Sequence, residues 1–177
     1  QWQAFNLFAV QWVWPGASSV SGSLIIEATP ALLNIVTGLL AAACFYTTWA
    51  RRHPMLRLFL MYFAGYAIFM GFGYLLSDPL FYTREGEKLG DWKKVIDMLG
   101  GSWAVRLPIL VVGAAGVVWG FFWLANAALR FAKNAADKAE RGYVALSLLL
   151  VPYLALNILF SIFAIWHPMG ADGFLIV

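Results

Sequence analysis

Charge is what this sequence has least of. Only 12% of its 177 residues are Asp, Glu, Lys or Arg, while 62% are hydrophobic; a soluble domain averages about 25% charged and about 45–50% apolar residues. So large an apolar excess cannot be buried in one water-soluble core of a chain this short, and part of the solvent must be lipid. Cysteine and histidine are scarcer still. A lone cysteine, Cys44, excludes an internal disulfide and a cysteine-based zinc site; lying in an apolar run, it reads as a small core residue. The two histidines, His53 and His167, leave no His-Glu-x-x-His helix anywhere in the sequence. The net charge of +3 is small, and its basic residues fall in short clusters between apolar runs. That sets nucleic acid aside as a partner and fits orientation in a membrane. No basic region precedes the first apolar residues, so nothing near the start reads as a signal peptide. Beginning at Gln1 and closing on "FLIV", the sequence is compatible with trimming at either end.

What it does have is long apolar runs. Crossing the hydrocarbon core takes about 20 mostly apolar helical residues, and four stretches qualify: 31–50, 55–77, 103–127 and 143–166. Thr29 as N-cap and Pro30 at the first helical position should open the first span, which "RRHP" closes. The second should end before Asp78-Pro79. Arg106 sits one turn inside the third and can snorkel to the interface. Pro152 should kink the fourth, which neighbouring helices accommodate in a membrane. Trp49, Trp103, Tyr143 and Trp166 fall at span ends with Arg51 and Arg52 beside them, the placement expected of membrane-interface anchors. Residues 1–23 are too short in apolar content to span; three tryptophans there indicate an interfacial segment. The loops after spans one and three hold Arg51, Arg52, Arg57, Arg130, Lys133, Lys138 and Arg141, against Arg84, Lys88, Lys93, Lys94 and Arg106 in the loop between spans two and three. That balance leans toward the first and third loops being cytoplasmic.

The most charged stretch is "GEKLGDWKKVIDMLGG", residues 86–101. Trp92, Val95, Ile96 and Leu99 recur at i, i+3, i+4 and i+7, one apolar face of a helix over 91–99, with Lys93, Lys94 and Asp97 turned away. Asp91 stands where an N-cap would, and Gly100-Gly101 where the helix would close. Read this way, 91–99 is an amphipathic helix on the membrane surface.

The order "EATPALLNI", "FMGFGYLLSDP", "GDW" resembles the core of site-2-protease-like membrane metallopeptidases, the M50-like group. Pro30 and Asn34 match a small-residue segment that in the family follows the zinc-binding helix. The resemblance would place Asp91 as the third zinc ligand. The family's first motif, His-Glu-x-x-His, is missing, so either it lies upstream of Gln1 or this is a member without protease chemistry. A catalytic zinc needs about three protein ligands and an open position, which Asp91 and two dispersed histidines do not supply.

Other polar and small residues have bland readings beside the sharp ones. Glu27 and Asn34 lie seven residues apart on nearly one helical face; an acid at membrane depth would suggest ion or proton handling, yet Glu27, preceding Thr29-Pro30, reads as interfacial. Asn157 suits an interhelical hydrogen bond. His167 beside Trp166 and Pro168 reads as an interfacial histidine rather than a haem or chlorophyll ligand. Residues 130–142 mix charges with alanine, as a solvated extension or turn does. Gly116 and Gly120, with Gly113 nearby, let helices approach closely, within this bundle or with another subunit. Trp119 and Trp123, at i and i+4, would add aromatic surface to one side of the same helix.

The sequence therefore predicts an all-α integral membrane protein of four spanning helices, with an interfacial N-terminal segment and a short amphipathic helix. The function expected is that of a non-catalytic subunit meeting lipid and other membrane subunits, in a bacterial-type inner membrane. The alternative is part of a zinc-dependent intramembrane protease. No haem, quinone or pigment site is specified by any motif.

Overall fold

The computed structural model describes residues 2–5, 10–12, 20–82, 91–134 and 136–165. Its helices are α1 (Val20–Phe45), α2 (Thr48–Arg52), α3 (Pro54–Leu80), α4 (Asp91–Met98), α5 (Trp103–Leu129), α6 (Lys138–Ala145) and α7 (Val151–Ile165), with a π-helical turn at Leu146–Leu150 between the last two. Four stretches are long and apolar enough to cross a membrane: Leu24–Phe45, Pro54–Leu80, Trp103–Leu129 and Lys138–Leu156. This is a polytopic helical membrane protein. The chain divides into two compact units, residues 17–127 and residues 1–16 with 128–177.

In the larger unit α3 is the central helix, and small residues set how close its neighbours come. Against α1, a Cβ on Gly71 would lie 2.9 Å or less from Ile35 and Ala31, and one on Gly38 would lie 2.9 Å from Ile68. Against α5, a Cβ on Gly113 would fall 2.5 Å from the Leu75 and Leu76 backbone, and one on Gly116 or Gly120 would enter Phe72 or Ile68. Lipid tails give apolar helices no hydrophobic reason to associate, so close backbone approach and dispersion must hold such a seam together. The contacts run in register: Gly113 by Leu75, Gly116 by Phe72, Gly120 by Ile68. As residue numbers rise along α5 they fall along α3, so these helices are antiparallel. Ala31, Ala41, Phe45, Met61, Ala64, Ala67, Ile68, Leu75 and Trp123 form the buried core.

Several boundaries differ from the sequence expectation. Helix α1 begins at Val20, so Thr29 is not its N-cap and Pro30 lies inside it. Proline there removes one donor, and the Thr29 hydroxyl bonds back to the Ile25 carbonyl, so the helix continues. Likewise α3 runs through Asp78-Pro79 to Leu80. Cys44, expected in the core, is exposed; the inner face of α1 is taken by Ala41, Ala42 and Phe45, and 100° per residue turns position 44 outward. Helix α2, N-capped by Thr47 whose hydroxyl accepts from the Ala50 N–H, makes the turn from α1 to α3 on a fully buried Ala50.

In the other unit, Trp2–Phe5 and Val10–Trp12 pair as an antiparallel hairpin with Phe5 opposite Val10 and Trp2 opposite Trp12. The N-terminal segment thus contains two short strands, consistent with its Trp-Gln-Ala and Val-Gln-Trp alternation. Asp137 caps α6 by accepting from the Ala139 N–H. Glu140 ties the preceding turn by accepting from the Lys133 and Asn134 N–H groups. The turn before Pro152 widens to π geometry, with the Val151 N–H reaching the Leu146 carbonyl. Tyr143 is exposed. Trp166 and His167 lie outside the described residues, as does the Asn157 side chain.

Candidate functional site

Among the described residues, the acids of the larger unit gather where α3 ends and α4 and α5 begin. The reason starts with Asp78. An acid in the last turn of a helix faces the negative end of that helix's dipole, and Asp78 is also buried, at 7% exposure. Its stabilising partner comes from another helix: Asp78 Oδ2 accepts the Trp92 backbone N–H at 3.0 Å. One helix thus caps the next, with the carboxylate of α3 meeting the unsatisfied donors that open α4.

Asp91, expected to be that cap, is instead the first residue of α4. Its carboxylate lies 3.8 Å from Lys94 Nζ and beside Glu27 of α1. Burial first, and then the Glu27 carboxylate, push the Asp91 carboxyl above its ordinary value, while Lys94 pulls the other way. Lys94 Nζ is 2.9 Å from both Glu27 oxygens. Glu27 is therefore no residue in front of a helix but part of α1, and its charge binds α1 to α4. The apolar side of α4, Val95 and Ile96, is buried in a helix that contacts both α1 and α3. The amphipathic helix docks on the helix ends of its own bundle rather than lying free on lipid.

The closing turn of α4 is pinned as well. Gly100 and Gly101 adopt φ of 94° and 65°, a backbone that favours glycine, and the Gly101 N–H reaches the Ile96 carbonyl at 2.9 Å. The Tyr82 hydroxyl donates to Asp97 in space that a Cβ on Gly101 would occupy. Arg106, expected to snorkel, turns back: Nη2 donates to the Pro79 carbonyl at 2.7 Å, one of the carbonyls left open at the end of α3. Its guanidinium lies 4.6 Å from the Tyr82 ring centroid and 4.1 Å from that of Trp103, in cation–π range.

Gly113, Gly116 and Gly120 pack inside the unit, against α3. Trp119 and Trp123 do not share a surface. Trp123 is 8% exposed and meets Phe45 edge-on at 5.9 Å, whereas Trp119 is 43% exposed. At the opposite end of α1 and α3, Trp49 is 65% exposed beside exposed Arg51 and Arg52, and Trp103 is exposed at the α4 end.

As a metal site, the arrangement fits poorly. Among the described residues no group of three His, Cys, Asp or Glu side chains could hold an ion. The Lys94 ammonium already stands against the Glu27 and Asp91 carboxylates, where a cation would sit. Comparison with protein-family models, curated proteins and solved structures finds no match for this chain.

Sequence reasoning missed the roles of Asp78, Lys94, Gly38 and Gly71. Asp78 gave no local signal, because it falls just past the expected end of a span and Asp91 already stands in the cap position; its partner lies 14 residues away. Gly38 and Gly71 offered only their size.

Proposed function

We propose that this chain is a non-catalytic polytopic subunit that packs into a larger assembly in a bacterial-type inner membrane. The carrying observation is that the charged side chains around α4 are engaged with one another and with helix ends: Glu27 with Lys94, Asp78 with the Trp92 N–H, Arg106 with the Pro79 carbonyl. Charge used this way holds a scaffold together. Val111, Val118, Trp119 and Phe122 leave α5 an apolar outer side able to take lipid or a neighbouring subunit's helix. Purification from native membranes in mild detergent, followed by native electrophoresis, tests the reading. A band well above the single chain with reproducible partners is expected; the chain migrating alone would overturn it.

The second reading, part of a zinc-dependent intramembrane protease with Asp91 as third ligand, has the half-buried Glu27–Asp91 carboxyl pair in its favour. Lys94 stands against it, and among the described residues no further His, Cys, Asp or Glu completes a ligand set. Metal analysis of the full-length protein beside Asp91→Ala separates the two: stoichiometric zinc lost in the variant would support the protease and sink the subunit reading.

A further inference from the structure

The turn from α1 to α3 carries a feature that the subunit reading does not use. Between Tyr46 and Phe59 the sequence holds three arginines and a histidine and no acid. Arg51 and Arg52 are exposed in the last turn of α2, and among the described residues neither meets a carboxylate within salt-bridge distance. The nearest engagement of Arg51 is neutral, Nη2 to the Thr48 hydroxyl at 3.5 Å.

The platform beneath them is held firmly. Ala50 is fully buried, Thr47 caps the helix, and the N–H groups of Arg51 and His53 bond to Thr47 and Ala50 carbonyls at 3.1 Å. Arg57 stands over the Phe45 ring, 4.7 Å from its centroid, adding a third positive charge. Trp49 projects from the same short helix, at the level where two apolar spans end. An amphipathic ring at that level marks the headgroup region, so the guanidinium groups sit where lipid phosphates lie.

We propose that the α2 turn is a docking surface for anionic phospholipid headgroups, with Arg51 and Arg52 holding the phosphate region and Trp49 seated at the glycerol level. Guanidinium groups match phosphate oxygens bidentately, and exposed arginines that meet no carboxylate among the described residues favour a headgroup of net negative charge over a zwitterionic one. This end then faces the leaflet richer in anionic lipid.

The test uses the full chain purified in detergent, with retained lipid counted by native mass spectrometry against phosphatidylglycerol and phosphatidylcholine of the same acyl chains. Each arginine is expected to favour phosphatidylglycerol by about fivefold, and the pair by roughly thirtyfold. The Arg51→Ala/Arg52→Ala variant should lose that preference. Raising salt should weaken it in the unaltered protein, a measurement independent of how the variant folds. Equal retention of the two lipids by the unaltered protein, or a preference that survives the double substitution, would overturn the proposal.

Discussion

The two ends of the α1–α3–α5 unit handle charge in opposite ways. At the α4 end, acids and bases are both present and pair across helices: Glu27 of α1 with Lys94 of α4, Asp78 of α3 with the first turn of α4, Arg106 of α5 with the last turn of α3. At the α2 end, Arg51 and Arg52 are exposed beside Trp49, and among the described residues neither meets a carboxylate within salt-bridge distance. The difference teaches that charged residues at membrane span ends are of two kinds. Some satisfy helix ends that would otherwise be left open in a poorly hydrated setting; others address what lies outside the protein. Sequence position alone does not separate them, because both sets flank apolar spans in the same way.

The largest effect is expected on the α3–α5 seam, where Gly113 faces Leu75 and Leu76. Gly113→Leu places a side chain where even a Cβ would sit 2.5 Å from the α3 backbone; overpacking costs about 1–3 kcal/mol and occasionally more. The variant should show a marked fall in melting temperature in detergent, with both ends affected because α5 must withdraw from α3. Next in size is Asp78→Ala, which strips the carboxylate from the Trp92 N–H and leaves a part-buried donor open, at about 1–3 kcal/mol. Protease nicking and hydrogen exchange should rise in α4 while α2 stays as protected as before. If both ends loosened equally, the contrast between them would fail.

A smaller effect depends on pH. Because the Asp91 carboxyl is pushed up in the folded protein, folding holds that proton more tightly than the unfolded chain does. The resulting stabilisation is present below the ordinary carboxylate value and is lost as pH rises through the raised one. Asp91→Asn should therefore be more stable than the unaltered protein at neutral pH and match it in acid, with melting temperatures followed across the range as the check. The smallest effect is expected for Arg51→Ala/Arg52→Ala, whose melting temperature should stay close to that of the unaltered protein, since substitutions at exposed surface positions are usually worth within about 0.5 kcal/mol. A large loss of stability there would mean that the arginine end is also internally braced.

Much of the architecture was legible in advance because the bilayer is a demanding solvent: runs near 20 apolar residues have few other uses. The helix over 91–99 was readable from Trp92, Val95, Ile96 and Leu99, and its closing glycines from their place. What misled was punctuation. Thr29-Pro30 and Asp78-Pro79 have the composition of helix ends, yet α1 and α3 run through both pairs. Packing along the Gly38 and Gly71 seam and the contacts of α4 outweigh the local cost of one missing donor. The candidate site was half visible. Asp91 drew attention as the acid at the start of a helix, but the cap is Asp78, and no local pattern announces a partner 14 residues away.

Composition and period alone determined that the chain lives in lipid, how many helices cross it and which loops carry charge, because these depend only on the free energy of each segment in its solvent. Tertiary structure decided which face of α3 receives α1 and which α5, that α4 sits on the bundle rather than on lipid, and which charges are partnered. Those outcomes depend on helices packed so closely at glycine that no Cβ would fit and on a carboxylate meeting a helix end across space, relations that no one-dimensional spacing contains.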